Sequence, residues 1–171
     1  MSELTNFREQ KDSQFGVDHQ SPLTEEQRAT FRGLYYYEER PQLRYVAGLT
    51  PSEHQEVVDM QTSTGTIAKY VRYGKVSFEV DEDKAELTIF EDEGGTHLFL
   101  PFADATSGHE TYGAGRYLDV EVQPDGQILV DFNYAYNPYC AYNVNWTCPL
   151  TPAENRLRVS IRAGEKLFEE H

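Results

Sequence analysis

From Tyr70 onward the apolar positions recur with a period of two. Val76, Phe78 and Val80 alternate with polar neighbours, as do Ala85, Leu87 and Ile89. The same pattern runs through Leu118, Val120 and Val122, then Ile128, Val130 and Phe132, then Leu157, Val159 and Ile161. Alternation of this kind places successive side chains on opposite faces of a strand. Turn residues separate the runs at Asp81 to Asp83, Gly94-Gly95, Pro124-Asp125-Gly126 and Ala163-Gly164. Short alternating strands joined by tight turns predict an antiparallel sheet that curls into a β-barrel or a sandwich.

One hairpin is specified more closely. Pro124-Asp125-Gly126 suits a three-residue loop with Gly126 in the left-handed region, which sets Gln123 opposite Gln127. That register carries Val122 across from Ile128, Val120 from Val130 and Leu118 from Phe132. On the opposite face it predicts Tyr117 across from Asn133 and Asp119 across from Asp131.

Ahead of these strands the period is helical. Leu4, Phe7, Lys11 and Phe15 predict a short amphipathic helix over residues 3 to 15. Thr24-Glu25-Glu26-Gln27 is a capping box that opens a helix through about Gly33. Thr50-Pro51-Ser52-Glu53 and Thr151-Pro152-Ala153-Glu154 carry similar start signals, each with room for a single turn. The expected class is therefore mainly β, or α+β, with short N-terminal helices. One domain over residues 1–171 is expected, with a helical segment 1–40 packed on a β core 41–171.

Composition narrows the function classes. At 171 residues the chain fits one domain with a sizeable core. Hydrophobic residues make up 39% and aromatics 13%, enough ring and apolar surface to argue against disorder. Acidic residues outnumber basic ones 29 to 15, a formal charge of −14 at pH 7. Such a field repels phosphate backbones and anionic lipids, so neither nucleic acid nor membrane is an expected partner. No apolar run approaches a membrane span. The opening Met1-Ser2-Glu3-Leu4-Thr5 lacks the basic and apolar regions of a secretory signal, so a soluble cytoplasmic protein is expected.

Residues 101 to 166 are compositionally unlike the rest. They carry Asp104-Ala105-Thr106-Ser107-Gly108, Thr111-Tyr112-Gly113-Ala114-Gly115-Arg116-Tyr117 and Asp131-Phe132-Asn133. Then follow Ala135-Tyr136-Asn137-Pro138-Tyr139-Cys140-Ala141-Tyr142-Asn143, Trp146-Thr147-Cys148-Pro149-Leu150, Asn155-Arg156-Leu157 and Ala163-Gly164-Glu165-Lys166. In this order these segments resemble the bacterial and archaeal family called domain of unknown function 1684. Lys11-Asp12, Ser21-Pro22-Leu23, Gly33-Leu34 and Tyr73-Gly74 extend the resemblance over nearly the whole chain. The chain departs from it at Tyr139 and Thr151, where many relatives have Pro. The resemblance implies a β-rich single domain and no established activity.

Several groups could carry chemistry. The two glycines and the cation of Gly113-Ala114-Gly115-Arg116 suit an anion cradle, but a strand follows where a phosphate site needs a helix, and a bend is the simpler reading. Asp131, facing Asp119 at the predicted register, needs a counter-charge if that face is buried, and Arg116 is the nearest cation. Cys140 and Cys148 are the only cysteines. Their spacing is not C-x-x-C, and a structural zinc would need two further ligands such as His97 and His109. A disulfide is possible across the loop, although a cytosolic chain favours free thiols. Tyr134, Tyr136, Tyr139, Tyr142 and Trp146 alternate with Asn133, Asn137, Asn143 and Asn145, which suits a wall that stacks a planar or sugar-like ligand.

The leading expectation is a small-molecule-binding module. Its pocket is expected to gather Arg116, Asp131, Asn133, Tyr136, Asn137 and Trp146, with Cys140 and Cys148 beneath the aromatic loop. The alternative is an enzyme, hydrolase-like or thiol-dependent, using Asp131 as acid or base or Cys140 or Cys148 as nucleophile. A structural or partner-binding domain is the third possibility. No cofactor or metal follows from any motif, and the oligomeric state is not legible.

Overall fold

The computed structural model describes residues 3–17, 21–53, 56–95, 97–143 and 145–168. The helical start signals produce two helices. Helix α1 (Glu3–Val17) buries Leu4 and Phe15. Helix α2 (Glu25–Thr30) begins with the predicted box: Thr24 Oγ1 accepts from the Gln27 amide at 3.1 Å, and Gln27 Oε1 accepts from the Thr24 amide at 2.8 Å. It ends short of Gly33 because Phe31 turns extended and sets its ring against Phe15.

Eight strands follow: β1 (Arg44–Ala47), β2 (Leu49–Pro51), β3 (Val57–Gln61), β4 (Ile67–Val80), β5 (Asp83–Asp92), β6 (Leu98–Phe102), β7 (Arg116–Asp119) and β8 (Ile128–Asp131). All pairings are antiparallel. Six strands form one sheet in the order β2-β4-β5-β6-β7, with β3 pairing a different stretch of the long β4. Strands β1 and β8 form a second sheet. The sheets do not close, so the architecture is an open sandwich rather than a barrel.

Alternation sorts the side chains of the large sheet onto two faces. Val76, Leu87, Ile89, Leu100, Phe102 and Leu118 point into the main core, where they meet Ala47, Ile128 and Val130 of the small sheet, together with Phe132 and Ile161. Met60, Phe90, Phe99 and Tyr117 form a smaller cluster with Cys140 and Cys148. A third cluster joins Phe15 of α1 to Leu23, Leu34 and Tyr142. Asn155 stitches β5 to β6, donating to the carbonyls of Thr88 and Pro101 and accepting from the Thr88 amide.

The structure corrects three expectations. Thr50 and Pro51 lie in β2 rather than starting a turn, because the chain there pairs with Lys75 and Gly74 of β4. The alternating run Leu157 to Ile161 is extended but not a strand. Only Ala103 and Arg156 bridge, and the amide of Ile161 is bonded by the Asp104 carboxylate at 2.6 Å where a ladder carbonyl would stand. The hairpin loop forms as expected, with Gly126 at φ 86°, Gln123 N to Gln127 O at 2.7 Å, and Val122 bridged to Ile128. Its arms then splay into different sheets, so Asp119 faces Phe99 of β6 and Asp131 faces Arg44 of β1. Tyr117 pairs with Tyr136 rather than Asn133. The two aspartates do not face each other.

Candidate functional site

Arg116 opens β7 and has no exposed surface. Its guanidinium donates to the carbonyls of Ile161, Ala163 and Glu165 at 2.8, 2.5 and 3.1 Å, and Asp104 lies 3.6 Å away. Burial pulls its pKa down while the Asp104 charge pushes it back up. The preceding Gly115 has φ 106°, and a Cβ there would stand 2.4 Å from Thr151 Oγ1 and 2.6 Å from the Phe102 carbonyl. The Gly-Ala-Gly-Arg segment is thus a tight entry into β7 whose cation binds backbone; it is not an anion cradle.

In the same C-terminal segment, the Glu165 side chain is almost fully enclosed. Lys11 of α1 pairs with it at 2.7 Å, Asn137 Nδ2 donates at 3.1 Å, and the Tyr142 hydroxyl donates a short bond. Burial and the Glu165 charge raise the pKa of Tyr142 well above its ordinary value. This carboxylate ties the first helix, the aromatic loop and the C-terminal segment together.

Above that ion pair lies an open cleft of about 420 Å³. Helix α1 supplies one wall with Phe7, Gln10, Gln14 and Phe15, and Lys11 stands between them. Tyr136, Tyr139 and Asp119 form the other wall. The Lys11 ammonium sits 5.4 Å from the Phe15 ring centre and 5.1 Å from that of Tyr136. The Tyr136 hydroxyl donates to Asp119 at 2.8 Å, and His97 pairs with the same carboxylate at 3.1 Å. Burial, then Asp119, pushes the Tyr136 phenol above its usual range, so it remains a donor.

The other predicted site residues have different partners. Asp131 Oδ1 caps a 3₁₀ turn (Phe132–Tyr134), accepting from the Asn133 amide at 3.0 Å and from its side chain at 2.8 Å. Asn133 also exchanges bonds with the backbone of Arg40. Both are engaged in shaping the backbone, which leaves Asp131 poorly placed as an acid or base. Asn137 joins Arg116 only through the C-terminal segment, bonding Glu165 and the Lys166 carbonyl. Trp146 donates to the Pro22 carbonyl at 3.0 Å and packs edge-on against Tyr139. The expected single pocket is therefore dispersed, and Tyr136 is the one predicted residue that lines the α1 cleft.

Cys140 and Cys148 come together and are buried. Cys148 Sγ accepts from the Cys140 amide at 3.3 Å, and the Tyr112 hydroxyl lies 3.5 Å from Cys140 Sγ. The neighbouring Cys148 thiol, then the Tyr112 hydroxyl, outweigh burial and bring the Cys140 pKa down to about 6. The same contact, followed by burial, raises that of Cys148. Among the described residues no group of three or more His, Cys, Asp or Glu side chains could hold a metal ion; His97 pairs with Asp119.

Lys11, Glu165, Asp104 and Tyr142 matter more to this region than their sequence context indicates. Lys11 stands out only as the polar member of an otherwise apolar helical face. Glu165 gives no signal, because enclosure of a carboxylate depends on three distant segments.

No helix among the described residues is long and apolar enough to cross a membrane. No curated protein matches the chain. The solution NMR structure of an uncharacterized protein of Haloarcula marismortui is similar at a TM-score of 0.74 and 38% identity, covering 98% of this chain and 94% of the other. The family model described as protein of unknown function (DUF1684) matches residues 29–166, and with these segments in place the chain belongs to that family.

Proposed function

We propose that the protein is a small-molecule-binding domain whose ligand occupies the cleft between α1 and the Tyr136–Tyr139 wall. The observation that carries this is the composition of the cleft. Aromatic faces, two free-standing glutamine amides and one carboxylate converge on a volume within the range of ligand sites. Tyr139 and Tyr136 offer faces for a sugar ring or a planar group, and Gln10, Gln14 and Asp119 offer donors and acceptors for its edge. Lys11 is already neutralised by Glu165, and the chain carries a net charge of −14, so a neutral or cationic ligand fits better than an anion.

Binding without catalysis fits the state of the reactive groups. Asp131 is committed to a turn, and neither cysteine lines the cleft. The test is a panel of neutral sugars, polyols and planar heterocycles monitored by amide chemical shifts of the labelled protein. Shifts localised to Gln10, Gln14 and Asp119, weakened about tenfold in affinity by Tyr139→Ala, are expected. Shifts confined to other surfaces, or none at millimolar ligand, overturn the proposal.

A further inference from the structure

The chain's two cysteines stand eight residues apart and meet in the cluster formed with Met60, Phe90, Phe99 and Tyr117. Cys140 occupies a 3₁₀ turn (Tyr139–Ala141). Cys148 is pinned to the β3–β4 connection: its amide donates to Ser63 Oγ at 3.1 Å and its carbonyl accepts from the Ser63 amide at 2.9 Å. With the Cys140 amide donating to Cys148 Sγ at 3.3 Å, backbone holds the Cys148 sulfur beside Cys140.

We propose that Cys140 and Cys148 are a reversible dithiol–disulfide pair that exchanges with small disulfides of the glutathione class. Three features support it. The only two cysteines of the chain are brought to one point in the cluster with Met60, Phe90, Phe99 and Tyr117. The polar groups are distributed unequally: the Tyr112 hydroxyl stands beside the Cys140 sulfur and the Cys140 amide beside the Cys148 sulfur, which divides the pair into an attacking and a resolving sulfur. The pair lies close to the surface: Cys140 and Cys148 keep 6% and 7% exposure, and Tyr139, next to Cys140 in the chain, is 42% exposed.

The chemistry balances as two displacements. The Cys140 thiolate attacks one sulfur of the small disulfide, forming a mixed disulfide and expelling one small thiolate. Cys148 then attacks the Cys140 sulfur, the mixed disulfide breaks, and the second small thiolate leaves. Two electrons pass from the protein sulfurs to the small disulfide, and the two thiol protons go to the departing thiolates. The closed loop holds Tyr142, which bonds Glu165, and Trp146, which bonds Pro22, so oxidation stiffens the segment that anchors the connection between the helices.

The full chain is equilibrated with graded ratios of reduced and oxidised glutathione, quenched in acid, alkylated and weighed intact. The expected result is one transition from a doubly alkylated protein to an unalkylated form lighter by two hydrogens. The fluorescence of Trp146, the only tryptophan, is expected to change with the same midpoint and to recover on reduction. The oxidised form should melt about 5 °C higher. Cys148→Ser, which keeps a hydroxyl donor beside Cys140, should trap one glutathione at least about tenfold faster than Cys140→Ser at neutral pH. Its rate should rise with pH through a midpoint below that of an ordinary thiol, because Tyr112 still faces Cys140. Circular dichroism identifies folded variants. Full alkylation at every ratio, adducts on both sulfurs without a cross-link, or a cross-link only in denaturant would overturn the proposal.

Discussion

Arg116 and Lys11 are both cations held against the C-terminal segment, and they differ in what remains once their bonds are made. Arg116 meets three carbonyls and Asp104 with no surface left over. Lys11 makes one ion pair with Glu165 and turns the rest of its side chain toward two rings and a cleft. A buried guanidinium spends its fork of donors on backbone that would otherwise lie unpaired, and so becomes scaffold. An ammonium with a single carboxylate partner at the rim leaves its neighbours free for something else. The conspicuous cation in the glycine-rich motif is structural, while the unremarkable lysine of the first helix borders the candidate site.

Replacing each cation tests this contrast most directly. Arg116→Ala strands Asp104 and three buried carbonyls, and a loss of about 3–5 kcal/mol in urea unfolding is expected. A near-native midpoint combined with weakened ligand binding would reverse the assignment. Lys11→Met removes the cation from Glu165 but leaves Tyr142 and Asn137 as donors, and Lys11 is itself partly solvated. About 2 kcal/mol is expected, with partial recovery in the Lys11→Met, Glu165→Gln double variant, which keeps an acceptor for both donors.

Surface ion pairs supply a weaker third class. Arg72, assisted by Thr88, holds the Glu154 carboxyl below its ordinary value of 4.5, and Arg162 with Tyr37 does the same for Glu110. A depressed folded pKa means that stability is complete above 4.5 and is lost as pH falls through the lower folded value. Stability should therefore fall gently below about pH 4.5, by under about 1 kcal/mol for such pairs, and Arg72→Ala should flatten part of that slope in acid unfolding curves. The smallest effect is expected at the open cleft. Gln14→Ala should leave the midpoint within about 0.5 kcal/mol while weakening the bound ligand in the shift titration.

How much of this is legible in the sequence follows from how local each device is. The Thr24 capping box, the Gly126 loop and the alternating runs of β4, β5 and β8 depend on neighbours within a few residues, and they form as predicted. Strand β6 escapes the alternation rule because four of its five residues, Phe99 to Phe102, are buried, one set in the main core and one in the cysteine cluster. The run from Leu157 to Ile161 alternates yet is not a strand, because a side-chain carboxylate replaces a ladder partner, a substitution that no periodicity reveals. The paired aspartates fail for a related reason: the hairpin arms enter different sheets, a decision made by β1 and β6. The cysteine pair and the Lys11 cleft are assembled by Ser63, Tyr112 and Glu165 from remote parts of the chain, so composition marks the region without drawing the site.

The bond between Lys11 and Glu165 joins residues 154 positions apart. On a ribosome, helix α1 is made well before its carboxylate partner. At ordinary synthesis rates that interval is on the order of ten seconds or more. Until Tyr142 emerges, Phe15 has only Leu23, Phe31 and Leu34 of its cluster to pack on. Helix α1 is therefore open to holding chaperones and to premature association during biosynthesis until Tyr142 and Glu165 arrive.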